Sequence, residues 1–358
     1  VDVQRLACDE RAKLPEPTLT PTPAPGCFST DRTCPPLHSC CGGQVLREQR
    51  RTLWCPFEAP MNPAVDEAHA ASRAWGLALG LLEGDDARRC FDAAKFARLT
   101  ARAYPRSAPV ELALVAEWNL WLFVHDDGCD AASSGRDPEA LLDLYRELGG
   151  ILRGATARAD AAAPVRAFAE VVPRILEPAT AAWRARFVAV VDDYFAACLW
   201  EARNRASRRV PTLAEYIGRR RDTGAVRTSI AMIERCEGIA LPESVRAHPL
   251  VEALATACND VVCWANDIIS LPKELANGDV HNLVHVVAEE RCGGDLDRAM
   301  TIAAEMHDAR VAEFIHLAAD LPRFGRDADE QLAWFVETLC AWMRGNLDWA
   351  LESGRYAE

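Results

Sequence analysis

Residues 118–130 read WNLWLFVHDDGCD, and three acids close the run: Asp126, Asp127 and Asp130. On a helix, Asp126 and Asp130 stand at i and i+4, so two carboxylates share one face and Asp127 flanks them. Leu122 and Phe123 lie about one turn back on an apolar stretch. Acids at the end of an apolar surface can hold a cation-bound anion over an apolar pocket. Carboxylates this close repel one another until a cation joins them, and a hard ion such as Mg2+ takes a few carboxylate oxygens and completes its shell with phosphate oxygens. A diphosphate ester fits that chemistry. The competing reading is a solvated helix end, because a chain with 53 acids has other pairs: Asp85–Asp86 and Asp192–Asp193, neither with a third acid at the matching position.

A second oxygen-rich stripe lies at residues 266–274, NDIISLPKE. Asn266, Ser270 and Glu274 fall at i, i+4 and i+8, which lines up an amide, a hydroxyl and a carboxylate on one helix face. Alone, this trio would hold Mg2+ weakly, which suits an ion that arrives with a diphosphate. A plain polar helix face is the alternative, but Asn and Ser are poorer helix residues than Ala or Lys, and an exposed stripe would not need them. Lys273 adds a point charge for a phosphate oxygen. Pro272 cannot donate to the Ile268 carbonyl, a loss of about 3 kcal/mol in a straight helix. A kink is therefore expected, one that would tilt Glu274 relative to Asn266.

Cations for the anion come from Arg219, Arg220 and Arg221, which run through Asp222 and Thr223 into Gly224. An arginine there could clamp a diphosphate bidentately, and a helix broken at Gly224 could turn free backbone groups towards a reacting chain. A basic helix end stabilised by its own dipole is the alternative for each arginine alone. Arg355 and Tyr356 sit near the C-terminus, where fraying is the ordinary expectation. Trp349, six residues earlier, is expected nearly two turns back on the same helix. His125, beside the acids, reads as structural rather than as a general base.

The elements that must position these residues are helical. Half of the 358 residues are apolar, enough for a sizeable core, and nothing alternates with period two. From Pro178 to Arg203, Trp183, Phe187, Val190, Val191, Tyr194 and Phe195 recur at helical spacing, with Pro178 suited to the first turn. Segments around 108–127, 225–238, 248–276, 293–320 and 329–352 read alike, with breaks expected at Gly84–Asp86, Pro105, Gly128, Pro211 and Gly224. The sum is an all-α bundle of about ten helices around a central pocket, with no repeat of solenoid type. Residues 1–55, rich in Pro and carrying six of the 14 cysteines, read as a mobile tail, and 56–358 as a single domain. The C-x5-C-C spacing near His38 is not a usual zinc pattern, and scattered cysteines elsewhere fit a reducing cytoplasm. A net charge of −13 argues against nucleic acid or an anionic membrane as partner, and no apolar run is long enough to span a bilayer.

Taken together, these residues resemble bacterial class I terpene synthases over about Pro56 to Tyr356. Asp126, Asp127 and Asp130 are similar to that family's aspartate-rich motif, and Asn266, Ser270 and Glu274 to its second metal motif. Arg220, 46 residues before Asn266, resembles its diphosphate-sensing arginine, with Thr223 and Gly224 in the linker and effector places. Arg355 and Tyr356 resemble the terminal Arg-Tyr pair. The resemblance implies an antiparallel helical bundle with three Mg2+ bound alongside substrate diphosphate, Mn2+ being the substitute ion. It implies ionisation of an isoprenyl diphosphate and cyclisation of the cation, with farnesyl diphosphate expected ahead of geranylgeranyl or geranyl diphosphate. Arg220, Lys273, Arg355 and Tyr356 would contact the diphosphate, and Phe123 and Trp349 would offer aromatic faces worth about 0.5–2 kcal/mol each to a cation. Trp75, Trp118 and Trp183 read as core. A cytoplasmic monomer or homodimer without nucleic acid or stable membrane association is expected. A chain-elongating prenyltransferase would call for a second aspartate-rich cluster where NDIISLPKE stands, and a non-catalytic isoprenoid-diphosphate binder would not need acids at both rims. Protonation-initiated cyclisation would want a D-x-D-D acid, which is absent.

Overall fold

A computed structural model describes residues 53–130 and 137–356; the expected tail up to residue 52 lies outside them. Among the described residues every regular element is helical. In chain order they are α1 (Val65–Ala78), α2 (Gly84–Ala94), α3 (Phe96–Ala103), α4 (Pro109–Asp130), α5 (Pro138–Leu152), α6 (Ala163–Leu176) and α7 (Ala181–Ser207). There follow α8 (Leu213–Thr223), α9 (Val226–Cys236), α10 (Glu243–Arg246), α11 (Pro249–Asn277), α12 (Leu283–Arg291), α13 (Leu296–Ala319) and α14 (Arg326–Glu352). A closing 3-10 turn spans Gly354–Tyr356. The segments outnumber the expected ten partly because sharp turns divide longer runs: left-handed Lys95 (φ 53°) parts α2 from α3, and Ala225 (φ 56°) parts α8 from α9.

Helix starts follow local side-chain chemistry. Thr180, Thr212, Asn282 and Asp295 each accept a bond from a backbone N–H of the first turn, satisfying donors that a helix leaves unpaired. Thr180 also corrects one boundary, since α7 opens at Ala181 and leaves Pro178 outside its first turn. Gly128 does not break α4, which continues to Asp130; a single glycine costs only about 1 kcal/mol there, and the buried Trp118 and Trp121 anchor the helix below it. Likewise α11 runs past Pro272 to Asn277. The last helix ends where its patterning does, but the expectation that it carries on to Arg355 is not met. It ends at Glu352 and Ser353 is extended, so Arg355 does not share a helix with Trp349.

Two helices organise the bundle. α4 packs on α1, α3, α6 and α9, while α11 packs on α13, α14, α12, α8 and α9. Both are buried on more than one face, as the central members of a bundle must be. Leu53 and Cys55 are buried too, and the Trp54 amide donates to Asp308 on α13 at 2.9 Å, so the chain is docked just ahead of residue 56. The described cysteines are free thiols, and no described helix is long and apolar enough to cross a membrane.

Candidate active site

A cavity opens between α4 and α11 and draws on α3, α7, α8, α9, α14 and the closing turn. Its lining includes Phe123, Asp126, Arg220, Thr223, Gly224, Asn266, Ser270, Lys273, Glu274, Trp349, Arg355 and Tyr356. The structure therefore gathers the residues singled out in four separate stretches of sequence. Asp127 stands at the same rim through its ion pairs. Asp130 is the last residue of α4, and its side chain lies outside the described residues.

At the α4 rim, the Arg355 guanidinium donates both arms to Asp127, each at 2.9 Å, and one arm reaches Asp126 at 3.4 Å. Lys273 lies 3.4 Å from the same Asp127 carboxylate. Desolvation alone would raise the pKa of Asp127, but the bonds and charge of Arg355 and the charge of Lys273 outweigh it and hold the carboxyl below its usual range. The Arg355 guanidinium also sits 4.8 Å from the centre of the Phe123 ring, itself stacked on Phe96 at 4.3 Å. Phe123 is thus a cation partner already, to an arginine at the mouth.

At the α11 rim, Asn266 accepts from Arg220 at 2.9 Å and donates to the Tyr356 hydroxyl at 2.7 Å. The Ser270 hydroxyl lies 2.6 Å from Glu274 Oε1, so two of the three stripe residues present their oxygens together. Burial and the neighbouring Asp267 carboxylate push the Glu274 pKa up to about 7, against the bonds it receives from Ser270 and Asn282. The stripe thus holds its register beyond Pro272. The terminal turn does not fray: Arg355 binds the acids of α4 and Tyr356 binds Asn266 of α11, which ties the two rims together across the mouth. Tyr356 packs edge-on against Trp349, whose indole N–H donates to the Ala94 carbonyl at 2.7 Å.

Arg220 is half-buried, held by Asp267 at 2.8 Å as well as by Asn266. Asp267 is the residue that sequence reasoning missed. Completely buried, it accepts from Arg220, from the Tyr216 hydroxyl at 2.7 Å and from the Leu283 amide at 3.1 Å, so α8, α11 and α12 meet on one carboxylate. Its signal was an acid next to Asn266, about 100° round the helix and therefore off the stripe. The other arginines of the cluster face elsewhere: Arg221 forks onto buried Asp260 at 2.8 and 2.9 Å, and Arg219 lies over Trp200.

The break after α8 has a steric origin. Gly224 has an ordinary helical φ of −68°, but a Cβ there would stand well inside 3.0 Å of Cys263 Sγ and 3.2 Å from the Arg220 carbonyl oxygen. Glycine is required for close approach of α8 to α11, and Ala225 takes the left-handed turn. Thr223 is buried beside it, its hydroxyl unpaired among the described residues. His125, buried, is pushed down to a pKa of about 4 by desolvation and lies 3.3 Å from Cys129 Sγ, a structural placement beneath the rim.

Residues 117–313 match the profile described as terpene synthase family 2, C-terminal metal binding. The chain is 34% identical to germacrene A synthase of Nostoc punctiforme, over 85% of this chain and 94% of that protein. It is 36% identical to the (+)-T-muurolol synthase of Roseiflexus castenholzii, a (2E,6E)-farnesyl diphosphate-cyclising protein, over 87% and 95%. Among solved structures, germacradien-4-ol synthase from Streptomyces citricolor aligns with a TM-score of 0.74 at 27% identity, over 83% of this chain and 97% of that one. An α-eudesmol synthase aligns with a TM-score of 0.76 at 26% identity, over 84% and 99%. The matched profile spans both oxygen-rich rims and Arg220 between them, and the chain belongs to terpene synthase family 2 as a class I terpene synthase of the bacterial type.

Proposed function

We propose that this enzyme ionises farnesyl diphosphate with Mg2+ and cyclises the resulting cation to a sesquiterpene hydrocarbon or alcohol, releasing diphosphate. The observation that carries the reading is the convergence of two oxygen-rich helix ends and three cationic side chains on the mouth of one cavity. The substrate class is supported by the farnesyl diphosphate-cyclising relative and by the sesquiterpene synthases around it. Diphosphates of ten or twenty carbons are the alternatives.

The donor set fits a hard cation. Asp126, Asp127, Asn266, Ser270 and Glu274 supply only oxygen, with Asp130 the further candidate on α4. Bound Mg2+ would supply charge stabilisation for the departing diphosphate.

The chain's own residues do the rest. Arg220, Lys273 and Arg355 are tied to Asn266, Asp267, Asp126 and Asp127. Each would exchange part of that pairing for phosphate oxygens when the anion arrives, which gives charge-assisted bonds that strengthen as the carbon–oxygen bond breaks. The Arg355–Tyr356 turn already spans both rims, so its side chains would close over the anion and keep water from the allylic cation. Below, Trp349 would present aromatic surface to the chain, and Phe123 would do so once Arg355 turns from its ring to the anion. Thr223 and Gly224 place the broken end of α8 in the cavity wall.

The test is incubation of purified protein with farnesyl, geranyl and geranylgeranyl diphosphates, with and without Mg2+, followed by gas chromatography and mass spectrometry, with N266A in parallel. A Mg2+-dependent C15 product lost in N266A supports the reading. Longer prenyl diphosphates as products would move the assignment to chain elongation, and a folded protein that turns over none of the three would be a binding protein instead.

A further inference from the structure

Asn282, the cap of α12, lies outside both acidic motifs and is completely buried. Its side-chain nitrogen donates to Glu274 Oε2 at 2.8 Å and to the Asp267 carbonyl at 2.7 Å. Its oxygen accepts from the Val284 amide at 2.8 Å and from His285 at 3.4 Å. Two acceptors on one side and two N–H donors on the other fix the orientation of the amide, and all of its bonding capacity is used. We infer that Asn282 is a positioning residue for Glu274, holding the carboxylate at the orientation in which it faces a metal ion at the α11 rim.

The need for such a residue comes from Pro272. Having no N–H, it leaves the turn that carries Glu274 short of one backbone bond. Asn282 replaces that restraint with a cross-link to a neighbouring helix, joining Glu274 to the α11 backbone at Asp267. The connection that delivers it is itself held firmly. Gly278 turns the chain in the left-handed region (φ 68°), and the Asp279 amide bonds back to the Glu274 carbonyl at 3.0 Å. The Asp279 carboxylate takes Arg205 at 2.6 Å and His281 at 2.9 Å, while His281 lies 3.2 Å from Asn204. Of the two bonds that orient the Glu274 carboxylate, the one from Asn282 is made by a residue outside the stripe, so it can fix the stripe relative to the rest of the bundle. Groups that orient a metal ligand in this way set affinity without touching the ion.

This inference rests on the reading of Glu274 as a metal ligand, so E274Q is part of its test. Two variants separate the donor from the cap. N282D keeps an acceptor for the α12 amides but removes both N–H bonds, and N282S keeps a capping oxygen that does not reach Glu274. Full-length protein is titrated with Mg2+ in the presence of inorganic diphosphate by calorimetry, the Mg2+ dependence of farnesyl diphosphate turnover is recorded, and melting temperatures are taken without metal. The expected result is a Mg2+ requirement raised roughly 10- to 100-fold in both Asn282 variants, with kcat at saturating Mg2+ falling less. Wild-type Mg2+ dependence in N282S and N282D beside a shifted E274Q would make Asn282 a helix cap only and overturn the inference, whatever happens to the melting temperature. Unchanged Mg2+ dependence in E274Q would overturn the ligand reading and the inference with it.

Discussion

Substituting Gly224 with alanine should destabilise the fold, although φ at this position is one that alanine adopts freely. In open space the exchange would stabilise by about 0.4–1 kcal/mol through the unfolded chain. Here the added methyl overlaps Cys263 Sγ, which is the main clash, and comes only slightly too close to the Arg220 carbonyl oxygen, at 3.2 Å. Overpacking of this kind costs about 1–3 kcal/mol, so the net loss should be about 1–2 kcal/mol. The same strain would push the end of α8, with Arg220 and Thr223, away from α11 and lower turnover. A double-mutant cycle with C263A isolates the contact. C263A removes the sulfur that crowds the site along with weak bonds to Asn259 and the Arg220 carbonyl, and in that background G224A should lose most of its penalty. Urea denaturation of the four proteins gives a coupling expected at about 1–2 kcal/mol, and product yield on farnesyl diphosphate gives the catalytic counterpart. Equal penalties in the two backgrounds, or no penalty in either, would refute the argument that glycine serves close approach.

Further outcomes follow from other contacts. R355K keeps the charge but loses the two-armed grip on Asp127, and kcat should fall roughly 10- to 1000-fold, measured at saturating Mg2+. D260N weakens a buried carboxylate shared by Arg221 and Arg310, and should cost about 3 kcal/mol in urea denaturation. Asp279 responds to pH in a defined direction. Burial would raise its pKa, but the His281 bond and the Arg205 charge outweigh burial and depress it strongly. A depressed carboxyl stabilises fully above its unfolded pKa of about 3.9 and loses that contribution as pH falls further. D279N should therefore be less stable than wild type by a constant margin from pH 7 to 5, and the gap should narrow below about pH 4.

The sequence by itself determined much of this protein, because much of it rests on local rules. Period-3.6 patterning placed α7, α9, α11, α13 and α14 within a few residues, and the i, i+4 and i, i+4, i+8 spacings identified oxygen-bearing faces before any fold was known. Family likeness joined those faces with Arg220 and the terminal Arg355–Tyr356 pair. Local rules failed where packing decides. Gly128 looked like a break, yet the buried tryptophans of α4 carry the helix through it. Pro178 looked like a helix start, yet Thr180 caps α7. The C-terminal residues looked frayed, yet Arg355 and Tyr356 find charged and amide partners that are distant in sequence and near in space. Asp267 and Asn282 were invisible for the same reason. Each acts through bonds to other helices, and neither falls on the periodic stripe that makes a motif legible. The requirement for Gly224 likewise depends on Cys263, 39 residues further on. Spacing along one helix is written in sequence; which helix end meets which is fixed only when the core packs.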